Sequence, residues 1–228
     1  MKDKIKLIIL ESIKELKVER PLFHSEADFQ HALAVKIKEK DPRAEIRLEK
    51  RVKSKDKDKN YVDLVIIKEN YEIFIELKYK TILPKGKENI ISKGEVFLLA
   101  NQGAQDLGMH NFFIDIHDLE RIKCQEGIKK ISFAIFLTND KYYWTPKNPE
   151  SETIFDQFYI EEGREIKKGE YKLHSTKRNK KLIKRWRNLG SENNYEKIEI
   201  LNDYGPLRWD HYSNEADEFK FLLIEIKC

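Results

Sequence analysis

The chain has 228 residues, 40% of them hydrophobic and 37% charged, with a net charge of +4. That is enough for one domain with a sizeable core, or a core plus an extension, under a densely charged surface. It excludes a disulfide framework, because Cys124 and Cys228 stand alone without a CxxC or a zinc quartet, and a membrane span, because no stretch nears about 20 apolar residues. The two thiols suit a reducing compartment, and the start MKDKIKLIILESIK has charges on both sides of a short apolar run, unlike a secretory signal. The expected location is the cytoplasm. A net charge this small does not mark a nucleic-acid binder, so the local distribution of charge must decide.

In chain order, residues 3–17 carry Ile5, Ile8, Ile9, Ile13 and Leu16 at the spacing of one helical face. Pro21 ends that helix. Ser25 then reads as an N-cap with Asp28 three residues on, which makes Glu26 the first helical residue. An acid there is favoured by the helix dipole alone. His31 on the same helix reads as a surface or packing histidine. Asp41-Pro42-Arg43 is a turn, and residues 44–49 alternate as a strand. A basic run follows, with six Lys/Arg between Lys50 and Lys59, including Lys53 and Lys55. It reads as a solvated loop, yet it feeds directly into the next strand and could attract a polyanion there.

Residues 61–80, YVDLVIIKENYEIFIELKYK, read as two strands around a turn at Glu69-Asn70. A short hairpin makes opposing positions sum to 139, so Asp63 faces Glu76. Side chains two apart on a strand point the same way, which adds Lys78 to that face. The other face, Ile73, Ile75, Leu77 and Tyr79 opposite Val62, Leu64 and Ile66, should lie on a core. Two adjacent carboxylates repel unless a cation lies between them, and oxygen ligands without Cys or His suit Mg²⁺, Mn²⁺ or Ca²⁺. The spacing E-x-K alone decides nothing, since it occurs six times, at Glu15, Glu76, Glu165, Glu170, Glu218 and Glu225. The plain alternative is a salt-bridged structural hairpin.

Beyond Lys80, Pro84, Gly86 and Gly94 mark a loop or short hairpin. From about Gln102 a helix carries Met109, Phe112, Phe113, Ile116 and Leu119 toward a core, with Gln105 near the buried stripe and Asp106 and His110 expected on the outer face. Residues 130–138, KISFAIFLT, are apolar on both faces, as in a central strand. The expected architecture is α/β, a mixed sheet flanked by helices over residues 1–145. Residues 146–228 read as a β-rich extension of the same domain, with strands at 153–160, 165–174, 195–201 and 219–227. Within it no Asp or Glu occurs between Tyr171 and Gly190, where Lys177, Arg178, Lys180, Lys181, Lys184, Arg185 and Trp186 gather. Clustered cations with an aromatic suit phosphate contact and stacking; a basic solvated loop is the plain alternative. There is no Gly-rich Walker loop.

At Asp63 and Glu76-Leu77-Lys78 the chain resembles the PD-(D/E)XK nuclease superfamily, the restriction-endonuclease-like fold. Val62 stands where the family's name has proline. The wider pattern FHSEADFQHALA, IELKYK, NQGAQDLG and AIFLTND, over about residues 20–140, is similar to small prokaryotic proteins of that fold. The resemblance implies a Mg²⁺-dependent nuclease, Mn²⁺ serving as well, most simply a DNA endonuclease. Asp63 and Glu76 would ligate the metal and Lys78 orient or deprotonate water. Glu26 would be a further metal ligand from the preceding helix, and Gln105 a polar group facing the site. Lys53, Lys55 and the later basic segment would hold the nucleic acid, and a homodimer would suit cutting both strands. The alternatives are a non-cleaving nucleic-acid-binding member of the fold and a structural or partner-binding protein.

Overall fold

The computed structural model describes residues 2–55, 60–148, 153–173 and 197–227. Two helices open the chain, α1 (Lys2–Glu19) and α2 (Glu26–Lys40). Ser25 caps α2 as expected, its Oγ accepting from the Asp28 N–H at 3.1 Å. Asp28 does not close the box onto Ser25; its carboxylate takes the His24 N–H at 2.9 Å and pairs with both terminal nitrogens of Arg20. The strands β1 (Glu45–Val52), β2 (Asn60–Lys68) and β3 (Tyr71–Lys80) follow as an antiparallel run. A small hairpin of β4 (Ile90–Ser92) and β5 (Glu95–Phe97) leads to α3 (Gln105–Arg121) and then β6 (Lys129–Thr138).

β6, apolar on both sides, lies beside β3 and runs parallel to it, from Tyr71↔Lys129 to Lys80↔Thr138. A parallel pair needs a crossover, which the hairpin and α3 supply. α1 and α2 cover one face of the sheet, burying Ile9, Ile13, Phe29 and Leu33 against Leu64, Ile75, Leu77 and Ile135. α3 covers the other, setting Met109, Phe112 and Ile116 against Val65, Phe74, Ala134 and Phe136. The protein is thus mixed α/β, as expected.

The C-terminal segment is built into this frame. β7 (Gly169–Lys172) and β8 (Lys197–Ile200) pair with each other, while β9 (Trp209–Ser213) and β10 (Phe219–Ile226) join the main sheet, whose order is β1-β2-β3-β6-β10-β9. β9 is too polar (WDHYS) to be foreseen from its sequence. Residues 153–160, expected as a strand, instead contain a single 3₁₀ turn, Asp156–Phe158, whose Phe158 ring lies on α3 against His110 and Phe113. That cover corrects the expectation for His110: it is fully buried, its ring 4.7 Å from that of Phe158, rather than on an outer face. A one-faced helical pattern cannot announce a second layer packed on the helix's back. His31 is exposed.

Candidate functional site

The hairpin register is the expected one. Partners run from Lys68↔Tyr71 to Leu64↔Ile75, each pair summing to 139. One residue beyond, the ladder stops. Leu64 lies in the core under α1 and α2, whereas Val62 lies in the core under α3. On a regular strand those two side chains would share a face, so β2 turns over at Asp63. The expectation that Val62 sits with Leu64 and Ile66 is therefore wrong. The strand on the other side shows the same break: between Leu48↔Leu64 and Lys50↔Val62, Glu49 has φ +49°. Buried Gln30 holds the bend, its Nε2 donating to the Asp63 carbonyl and, at 2.9 Å, to Glu49 Oε1.

Where β2 leaves, the edge of β3 needs acceptors. The N–H groups of Leu77, Tyr79 and Thr81, alternate residues and hence on one edge, find them in side chains. Leu77 donates to Asp63 Oδ2 at 2.6 Å, Tyr79 to Glu26 Oε2 at 2.7 Å, and Thr81 to Gln102 Oε1 at 3.2 Å. Thus Glu26, placed at the first position of α2 by the Ser25 cap, does reach the strand that carries Glu76 and Lys78.

Glu76 and Lys78 point to the α3 side, the face that carries Phe74, Ala134 and Phe136. There Lys78 meets an acid that the sequence reading missed: Asp115 of α3, with Nζ 2.9 Å from Oδ2 and both side chains about 15% exposed or less (15% and 13%). Asp115 had a signal. It stands three residues after Phe112 and four before Leu119, a carboxylate within the buried stripe.

The electrostatics follow from this crowding. Burial pushes the Glu76 carboxyl well above the usual range, Asp63 and Asp115 add to it, and Lys78 opposes. Burial likewise lifts Asp115 to about 7, against the pull of Lys78. For Lys78, burial favours the neutral form, but Asp115, Glu26, Glu76 and Asp63 together outweigh it and raise its pKa. Four carboxylates around one ammonium would carry a net charge of −3 if all were ionised (−4 + 1).

The structure does not bring every expected residue to this cluster. Gln105, at the start of α3, gives its amide to Asp140 Oδ2 at 2.9 Å. Lys53 and Lys55 are exposed where β1 runs out against the end of α3: the Lys53 carbonyl accepts from Lys123 N at 3.0 Å, and Lys55 N donates to the Arg121 carbonyl at 3.1 Å. Lys177, Arg178, Lys180, Lys181, Lys184, Arg185 and Trp186 lie outside the described residues. A cavity of about 720 Å³ between α2 and β1, lined by His31, Val35 and Leu48, contains none of the acidic cluster.

Among the described residues no three His, Cys, Asp or Glu side chains converge as a ready-made metal cage. Asp63 and Glu76, close enough for the charge of one to raise the pKa of the other, offer a two-carboxylate oxygen donor set. That is the number Mg²⁺ commonly takes from a protein, filling its other positions with water and substrate phosphate. No family model, curated protein or solved structure matches the chain.

Proposed function

We propose that the chain is a divalent-metal-dependent nuclease of PD-(D/E)XK type that hydrolyses phosphodiester bonds, with DNA as substrate and internal cleavage as the mode. The observation that carries this reading is the Glu76 carboxyl, whose proton is held by its burial and by the nearby Asp63 and Asp115 charges, beside the Lys78–Asp115 pair. Such a surplus of negative charge is costly without a cation. Asp63 and Glu76 would hold Mg²⁺ or Mn²⁺, and Glu26, one of whose oxygens accepts from Tyr79 N, would hold a metal-bound water with the other. When bound, the ion supplies positive charge at the phosphate and lowers the pKa of a water.

The rest is work for this chain's own residues. Lys78 keeps its proton, because the surrounding carboxylates favour the charged form. It therefore orients water and steadies charge developing on phosphate oxygens, rather than acting as a base. Asp115 fixes the direction of the Lys78 ammonium and is a positioning residue. Glu26 and Asp63 also hold β3 straight past the end of its ladder, so the spacing of Glu76 and Lys78 is kept.

Incubation with plasmid, single-stranded DNA and RNA, in Mg²⁺, Mn²⁺ or EDTA, tests this. Asp63→Asn keeps an acceptor for Leu77 N, so it should fold, yet cleavage should drop by roughly two to three orders of magnitude. Glu76→Gln should behave alike. An inert wild-type protein in both metals, or a fully active Asp63→Asn, would remove the proposal.

A second reading rests on a different observation. Asp63, Glu26 and Gln102 each satisfy a β3 N–H, which a purely structural site would also require. Under it the protein binds nucleic acid or a partner without cutting, and divalent ions leave its melting temperature unchanged. An ion that binds only the folded state would raise it.

A further inference from the structure

On the α3 side of the sheet, next to the acidic cluster, lies a cavity of about 410 Å³ between the end of β1 and the segment that follows α3. Lys50, Arg51, Lys53 and Lys123 line it, over a floor that includes Val52 and Phe74. Lys50 is paired to Glu72 at 2.7 Å. Arg51, Lys53 and Lys123 have no acidic partner among the described residues.

The walls are tied by backbone. Lys123 N donates to the Lys53 carbonyl, Lys55 N donates to the Arg121 carbonyl, and Ser54 bridges Ile122. The negative end of α3 would ordinarily repel an anion here. It is already occupied: Lys130 Nζ donates to the carbonyls of Leu119 and Glu120 at 3.1 and 3.0 Å, and Lys55 N takes that of Arg121.

We propose that this pocket grips a backbone phosphate of the nucleic acid, beside the phosphate presented to Asp63 and Glu76. The assignment rests on the nuclease reading and names how that site receives its substrate. Two features favour a phosphodiester chain. First, the cations adjoin the acids: Phe74 precedes Glu76 by two residues, about 7 Å along a strand, and Lys50 pairs with Val62, the neighbour of Asp63. A chain carrying one charge per nucleotide can place one phosphate among the cations and the next at the acids. Second, the apolar floor offers contact to a sugar, while Glu72, the one acid of the lining, is engaged by Lys50. Arg51, Lys53 and Lys123 have no acidic partner among the described residues to weaken their pull on an anion.

The test is fluorescence anisotropy with a short DNA duplex in EDTA. Lys53→Glu with Lys123→Glu should raise Kd at least about tenfold and reduce the salt slope by about 2. Lys4→Glu with Lys14→Glu, the same charge change on exposed positions of α1, should do much less. A second readout does not depend on those variants. Cys124, half-buried, lines the pocket, and in a Cys228→Ser background its alkylation should slow several-fold when DNA is bound.

Equal losses in the two double variants, or alkylation unchanged by saturating DNA, would overturn the assignment. So would protection by inorganic phosphate with none by DNA. Because binding and alkylation are read in EDTA and cleavage is read apart from them in metal, the two ideas fail separately. A protein that binds in this manner yet never cuts keeps the pocket and loses the nuclease. One that cuts normally with Lys53 and Lys123 reversed keeps the nuclease and loses the pocket.

Discussion

Glu49 shows how much is set by single residues at the bend. A glutamate at φ +49° occupies the left-handed region, which costs a residue with a Cβ about 1 kcal/mol or more. The strain is held in place by Gln30, which ties the Glu49 carboxylate to the Asp63 carbonyl. Glycine relieves such strain. Glu49→Gly should therefore leave thermal stability unchanged or higher while loosening Asp63, and under the nuclease proposal it should lower cleavage. Glu49→Val, which places a β-branched side chain in a region it rarely enters, should lower the melting temperature by several degrees. Calorimetry on both variants checks this, and equal melting points would remove the strain argument. Asp63, two positions after a strand start, and Glu76, in E-x-K, were visible as residues. The turning over of β2 between them was not, since it depends on Gln30 from a distant helix.

At the scale of elements, α3 is the part that completes the site, because Asp115 reaches Lys78 only if the helix keeps its distance from β3. Gly108 lets the start of that helix approach Tyr143, which follows β6. A Cβ there would run into the hydroxyl of Tyr143, whose ring packs 4.6 Å from that of Phe136 on β6. Gly108→Ala should cost about 1–3 kcal/mol through overpacking, seen as a lower denaturation midpoint. It should also shift the helix and, under the nuclease proposal, weaken cleavage. Gly108→Ala with Tyr143→Phe, which clears the hydroxyl but leaves two ring carbons 3.2 and 3.3 Å from the new Cβ, should recover part of the loss; no recovery would mean that the hydroxyl contact is not what the glycine accommodates. The helix itself was legible in the spacing of Met109, Phe112, Ile116 and Leu119. Its two-sided burial was not, because Phe155 and Phe158 come from a segment that no local pattern connects to it.

For the whole molecule, the acidic cluster links stability to pH. Glu76 and Asp115 hold their protons more tightly in the folded chain than in the unfolded one, where carboxyls titrate near 4. The folded state then binds more protons, and stability must fall as pH rises. For Asp115 the loss spans the interval from about 4 to about 7 and is complete above it. In EDTA, melting temperature should drop between pH 5 and pH 8. Glu76→Gln and Asp115→Asn should each flatten that slope, and an unchanged slope in the double variant would refute the linkage. Under the nuclease proposal, Mg²⁺ replaces the proton, so it should stabilise more at pH 8 than at pH 5, and not at all in Glu76→Gln.

The sequence by itself determined the local elements: the capped second helix, the hairpin with its register, the apolar central strand and the amphipathic α3. Each depends on neighbours within a few residues, through side-chain alternation, helical spacing and capping. Tertiary structure alone decided that β9 and β10 extend the sheet, that His110 is covered, that Lys78 pairs with Asp115, and that Gln105 turns to Asp140. Those outcomes come from packing between segments far apart in the chain. A side chain's periodicity records which way it points, but not what another segment brings to meet it.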